Sequence, residues 1–163
     1  MEGARGLRGW LGLGSNVGDR LANLRAACDA LERRGIEITA RSAVYETEPQ
    51  AGAVGQEDFL NACIAVETGL DPEELLAACK AVEVELGRDL DAPRHSPRPI
   101  DVDVLMISGP EIDLPWYRVP HSELWQRRFV LEPLLELDPP NREGLERALA
   151  KAGDQRVTRF GTL

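Results

Sequence analysis

Phe59-Leu60-Asn61-Ala62-Cys63-Ile64-Ala65-Val66-Glu67-Thr68, followed two residues later by Asp71-Pro72-Glu73-Glu74-Leu75-Leu76, decides the fold. In the first segment Leu60, Ala62, Ile64 and Val66 make one face of a strand, and Phe59, Asn61, Cys63 and Ala65 the other. The second carries helix-start signals in order: Asp71 as N-cap, Pro72 at the first helical position, an acid at the third. Leu75, Leu76, Cys79, Val82 and Leu86 then form an apolar stripe that Gly87 ends. Upstream, Trp10 to Gly14 reads as a short strand. Asp19 caps a helix carrying Leu21, Leu24, Cys28 and Leu31, stopped near Gly35. Residues 36–48 form a second strand, and residues 49–58, rich in turn residues, connect it to the third with no helix between. After the second helix comes a loop over 88–99, then a last strand over 100–106. Short helices are predicted over 122–126 and 130–137, and a surface helix over 141–152. The order β-α-β-β-α-β predicts a ferredoxin-like α+β sandwich, an antiparallel sheet with helices on one face.

A chain of 163 residues fits a single domain over 1–163, with a radius of gyration of roughly 15 Å. Such a domain buries about 70 % of its unfolded surface and needs no metal or disulfide to fold. No apolar run is long enough to cross a membrane and the N-terminus lacks a signal-peptide core, so a cytoplasmic location is expected. The net charge of −9 argues against nucleic-acid or membrane partners. It leaves room for a nucleotide, because a local arginine cluster with bound cations reverses the sign inside one cleft. The three cysteines, Cys28, Cys63 and Cys79, are too widely spaced for a zinc signature and sit among apolar neighbours as free thiols.

Candidate chemistry lies in Arg98-Pro99-Ile100-Asp101-Val102-Asp103-Val104-Leu105-Met106. Asp101 and Asp103 leave the same face of one strand, roughly 5–7 Å apart, where like charges need compensation. Magnesium suits such a pair, since it is held by one or two carboxylates plus substrate phosphates. Arg88, Arg94 and Arg98 stand just upstream, where they can neutralise phosphate charge. A solvated strand edge with incidental Arg–Asp pairs is the plainer alternative.

Other features weigh less by themselves. Gly12-Leu13-Gly14-Ser15-Asn16-Val17-Gly18 lies between strand and helix, but its third glycine comes one position late for a dinucleotide fingerprint and no parallel βαβ pattern follows. Arg88 follows a helix-ending glycine, where a cation also complements the helix C-terminus. His121 suits a cap, His95 a solvated loop, and Arg127-Arg128 an exposed helix face. Asn61, an amide inside an apolar strand, needs partners, either backbone groups or a polar heterocycle. Phe59 and Phe129 fit either the core or a stacking pair for a flat ring.

Taken together, ordered blocks from about Trp10 to Asp138 resemble the 6-hydroxymethyl-7,8-dihydropterin pyrophosphokinase family of folate biosynthesis. They are Leu13-Gly14-Ser15-Asn16 with Gly18-Asp19; Ser42, Tyr45, Thr47 and Pro49; Gln56, Phe59 and Asn61; Glu83 with Gly87-Arg88; Pro97-Arg98, Asp101 and Asp103; Val119-Pro120-His121; and Arg127 with Phe129-Val130-Leu131, Pro133 and Leu134. Each block is weak, but the ordered set is specific. The resemblance implies the same ferredoxin-like fold, with ATP and the hydroxymethyl-dihydropterin as substrates. It implies that Asp101 and Asp103 hold two magnesium ions and that Arg88 and Arg98 stabilise transferred charge. Glu83, His121 and Arg127 would serve the nucleotide. Thr47 and Asn61 would contact the pterin, with Phe59 and Phe129 sandwiching it. The sequence departs from the family at His95, where members commonly carry tryptophan, and near Leu90, where a second basic residue is usual. It also departs at Trp116-Tyr117-Arg118, where some members carry an arginine.

The implied reaction is pyrophosphoryl transfer, in which the pterin hydroxyl attacks the β-phosphorus of ATP and AMP leaves. A metal-dependent nucleotidyltransferase on a similar sheet, and a non-catalytic ligand-binding module of the same topology, are the rival expectations. A monomer is expected, with a homodimer as the alternative.

Overall fold

The computed structural model describes residues 6–48, 57–87, 99–153 and 155–163. Its strands are β1 (Leu7–Ser15), β2 (Ile36–Arg41), β3 (Ala43–Thr47), β4 (Phe59–Thr68), β5 (Asp101–Ile107), β6 (Ile112–Leu114), β7 (Tyr117–Val119) and β8 (Val157–Thr162). Its helices are α1 (Arg20–Arg33), α2 (Pro72–Glu85), α3 (Arg128–Leu134) and α4 (Arg142–Lys151), with short 3-10 turns at Leu124–Gln126 and Leu135–Leu137. Strands β5, β1, β4, β3 and β8 lie side by side in that order, and β2 joins β3 along β4 in a six-stranded sheet. The pairings in this sheet are antiparallel.

Both helix starts form as the sequence predicts. The Asp19 carboxylate accepts the Ala22 N–H at 3.1 Å. Asp71 and Glu74 make a reciprocal capping box, with bonds of 2.8 and 2.9 Å. Such a cap stabilises a helix by about 1 kcal/mol. The faces of β4 segregate as expected. Leu60, Ala62, Ile64 and Val66 pack with Leu24 and Leu31 of α1 and Leu75 and Val82 of α2. Burying each leucine contributes about 1.5–3 kcal/mol.

Two expectations change, and one strand is added. The strand over 36–48 is broken at Ser42, which stays tied to β4: its N–H donates to Cys63 O at 2.9 Å and its Oγ accepts the Cys63 N–H at 2.8 Å. Helices cover both faces of the sheet rather than one. Leu131, Leu134, Leu137 and Leu145 bury Trp10, Cys63, Ala65, Leu105 and Met106 on the second face, because β4 and β5 carry apolar residues on both sides. There the Trp10 indole donates to Leu137 O at 3.1 Å. Finally, β8, a polar segment with no strand signal, pairs with the rim of β3.

Candidate active site

Gly14 of β1 stands directly opposite Asn61 of β4 on one side and Asp101 of β5 on the other. Gly12 stands likewise between Cys63 and Asp103. Residues directly opposite in a sheet share a face, so Asn61, Asp101 and Asp103 project to the side where Cys63 and Leu105 meet the second helical layer. Asn61 and Asp101 are two strands apart, roughly 9–10 Å. A Cβ at Gly14 would lie 2.8 Å from Asn61 Oδ1 and 3.6 Å from the Phe59 ring. Glycine is what lets those two side chains occupy the space over β1.

On the β4 side, Asn61 is 8% exposed and donates through Nδ2 to Thr47 Oγ1 at 2.7 Å. Thr47 is paired with Phe59 across β3 and β4. Phe59 and Phe129 are each half-buried, and the Arg127 guanidinium lies 5.6 Å from the centre of the Phe129 ring.

On the β5 side, Glu83 of α2 is buried and accepts the Val102 N–H at 2.7 Å. This satisfies the outward N–H between the two aspartates on an edge strand. Lys80, one helical turn earlier, places Nζ 3.4 Å from Glu83 and 3.9 Å from Asp103 Oδ1. The His121 N–H donates to Leu105 O at 2.9 Å, and its Nδ1 accepts the Glu123 N–H at 3.2 Å. That bond leaves the proton on Nε2. Burial pushes the His121 imidazole below the ordinary histidine range, with Asp103 opposing and Arg127 and Lys80 adding to the shift. Burial likewise lowers the Arg127 guanidinium from its usual value, against the attraction of Asp103 and Asp101. Arg127 is also ion-paired to Glu123. A cavity of about 230 Å³ opens at this rim of the sheet, lined by Leu76, Lys80, Asp103, Val104, Trp116 and His121 among others.

The fold thus brings Asp101, Asp103, Arg127 and His121 together at one end, and Thr47, Asn61 and Phe59 at the neighbouring end across Gly14. Arg88, Arg98, Arg94 and His95 lie outside the described residues. Sequence reasoning missed Lys80 and Trp116. Lys80 had a usable signal, its spacing three residues before Glu83 on one helix. Trp116, 67% exposed beside the cavity, had only its position between the aspartate strand and His121.

Two hard carboxylates fit magnesium, which takes few protein ligands and completes its octahedron with water and phosphate. Among the described residues no group of three or more His, Cys, Asp or Glu side chains could cage a metal. The thiols do not compete as nucleophiles: Cys28, Cys63 and Cys79 are buried. Burial raises Cys28 to about 11 and Cys79 to about 12, and lifts Cys63 further.

Comparison with known proteins adds to this geometry. The family model described as 7,8-dihydro-6-hydroxymethylpterin-pyrophosphokinase (HPPK) matches residues 10–139. The 2-amino-4-hydroxy-6-hydroxymethyldihydropteridine pyrophosphokinase of Methylorubrum extorquens is 41% identical over 156 residues, covering 93% of this chain and 98% of that protein. The mitochondrial folate synthesis bifunctional protein of Pisum sativum is 43% identical over 127 residues, covering 78% of this chain. The chain spans only about a quarter of that protein's length, with 24% of it covered. A Plasmodium falciparum HPPK-DHPS crystal structure with pteroate superposes with a TM-score of 0.68 at 15% identity, over 90% of this chain and 42% of that one. At that identity it establishes the fold alone.

Proposed function

The chain belongs to the 7,8-dihydro-6-hydroxymethylpterin-pyrophosphokinase family, and from that membership we propose that it transfers pyrophosphate from ATP to the hydroxymethyl group of 6-hydroxymethyl-7,8-dihydropterin in folate biosynthesis, releasing AMP. The observation that carries this reading is the placement of Asn61 and Asp101 on one face, on either side of Gly14. A site for a heterocycle and a site for a metal-bound triphosphate then flank β1, which contributes no side chain of its own at Gly14.

Asp101 and Asp103 would hold two magnesium ions. When bound, these neutralise the triphosphate and polarise its oxygens. The Asn61 amide, steadied by Thr47, holds the polar edge of the pterin, and Phe59 and Phe129 stack on its faces. His121, neutral and carrying its proton on Nε2, donates to a phosphate oxygen, and Arg127 adds fixed positive charge. Glu83 fixes β5 and Lys80 beside the nucleotide. Arg88 and Arg98 would stabilise charge on the moving phosphoryl group. The pterin hydroxyl oxygen bonds to the β-phosphorus as the bond from that phosphorus to the oxygen shared with the α-phosphate breaks. AMP leaves with that oxygen, and the hydroxyl proton passes to solvent. The residues act by positioning and charge stabilisation, with no covalent enzyme intermediate.

We also propose that residues 1–163 act as one domain, in the cytoplasm, as a monomer or else a homodimer. Its net charge of −9 disfavours nucleic-acid and membrane partners. No helix among the described residues is long and apolar enough to cross a membrane.

The deciding experiment mixes the protein with ATP, magnesium and the reduced pterin and identifies the nucleotide formed. AMP supports the proposal. Free pyrophosphate supports a nucleotidyltransferase, and no ATP consumption supports a binding module.

A further inference from the structure

Residues 140–163 lie beyond the stretch matched by the family model, which ends at 139. Between α4 and β8, two adjacent side chains from this tail reach two separate parts of the site. The Gln155 amide bridges the backbone on both sides of Arg127: Oε1 accepts the Arg128 N–H at 2.9 Å and Nε2 donates to Gln126 O at 3.0 Å. The next residue, Arg156, pairs with Asp58 through Nη2 and Oδ2 at 2.8 Å. Asp58 immediately precedes Phe59, and Arg128 immediately precedes Phe129. The tail then enters β8 with Val157 opposite Thr47, the residue that anchors Asn61. Arg20 reinforces this corner, donating to Asp58 O and Glu46 Oε2, both at 2.8 Å.

An isolated exposed ion pair does little. What distinguishes this one is its covalent neighbour. A dipeptide ties the residue before one aromatic wall to the residue before the other. A flat heterocycle between two rings needs about 3.5–4 Å on each side, and a gap of 0.5–1 Å forfeits a quarter to a half of the contact. Phe59 begins β4 and Phe129 is the second residue of α3, so their spacing depends on what joins those element starts.

We infer that Gln155 and Arg156 are positioning residues, a clasp that sets the separation of the two aromatic walls of the pterin site. The inference rests on the reading that Phe59 and Phe129 stack on the pterin.

The test titrates 6-hydroxymethyl-7,8-dihydropterin into the full chain with magnesium and an ATP analogue whose α,β-bridging oxygen is replaced by methylene. Gln155→Ala and Arg156→Ala are each expected to raise the pterin Kd roughly 3–10-fold. Arg156→Lys, which retains the ion pair, is expected to stay within about twofold. Because release of either end frees the spacing, the double variant is expected to bind no worse than the weaker single. In turnover, KM for the pterin rises more than kcat falls. Phe59→Ala and Phe129→Ala serve as references. If they weaken pterin binding while both tail variants bind like the parent, the clasp is overturned and the stacking reading stands. Effects that multiply in the double variant overturn the clasp as well. If the two phenylalanine variants bind normally, the stacking reading falls and takes the clasp with it.

Discussion

Glu83 accepts the N–H of Val102 at 2.7 Å, midway between the two aspartates of β5, while itself only 2% exposed. The pair welds α2 to the strand that carries the proposed metal ligands. Glu83→Ala leaves a buried N–H without its acceptor and is expected to destabilise the fold by about 1–3 kcal/mol. Glu83→Gln keeps an acceptor oxygen and is expected to lose less. Denaturant unfolding of both variants checks this; equal losses would contradict the role of the bond.

Gly14→Ala introduces a methyl group 2.8 Å from Asn61 Oδ1, against a side chain already held by Thr47. The amide must rotate or the strands must part, at a cost of about 1–3 kcal/mol. The expected signature is pterin binding weakened by about tenfold with nucleotide binding nearly unchanged, read by separate titrations. An unaltered pterin affinity would remove Asn61 from the site.

Asp103→Ala is expected to lower the rate at least as much as losing a well-placed charge stabiliser, on the order of 10²–10³-fold. Arg98→Ala is expected to fall in that same range. Steady-state rates over a magnesium series check both. Normal turnover of the Asp103 variant at saturating magnesium would refute the metal assignment.

Tyr45 gives a pH signature away from the site. Burial, then the hydrogen bond to Glu136 and its charge, raise the phenol from 10.0 to about 12. A folded-state pKa above the unfolded one contributes stability that is complete below pH 10 and is lost as pH rises through about 12. Unfolding free energy is therefore expected to fall more steeply over that interval in the parent than in Tyr45→Phe. Parallel curves would show that the phenol titrates freely.

The elements legible in the sequence were those whose local pattern and tertiary role coincide. The alternation over Phe59 to Thr68 names both faces of β4, and Asp71-Pro72-Glu73-Glu74 encodes its helix start without help from the rest of the chain. Asp101 and Asp103 share a face by strand geometry alone. β8 was not legible. In Val157-Thr158-Arg159-Phe160-Gly161-Thr162 only Val157 and Gly161 are half-buried and the rest are exposed, so its strand character comes from pairing with β3. The second helical layer was equally hidden, since period 2 in a strand cannot say whether the opposite face meets water or a helix. Lys80 reaches Asp103 around the rim of β5, a contact set by how α2 docks.

The buried carboxylate of Glu83 also protects this molecule from its own kind. An unpaired outer strand offers a ladder of amides to any stray extended chain, the usual seed of fibrous self-association. An invader pairing with β5 at Val102 would have to evict an acid already bonded there. The residue that steadies this end of the sheet therefore doubles as a guard on its open border.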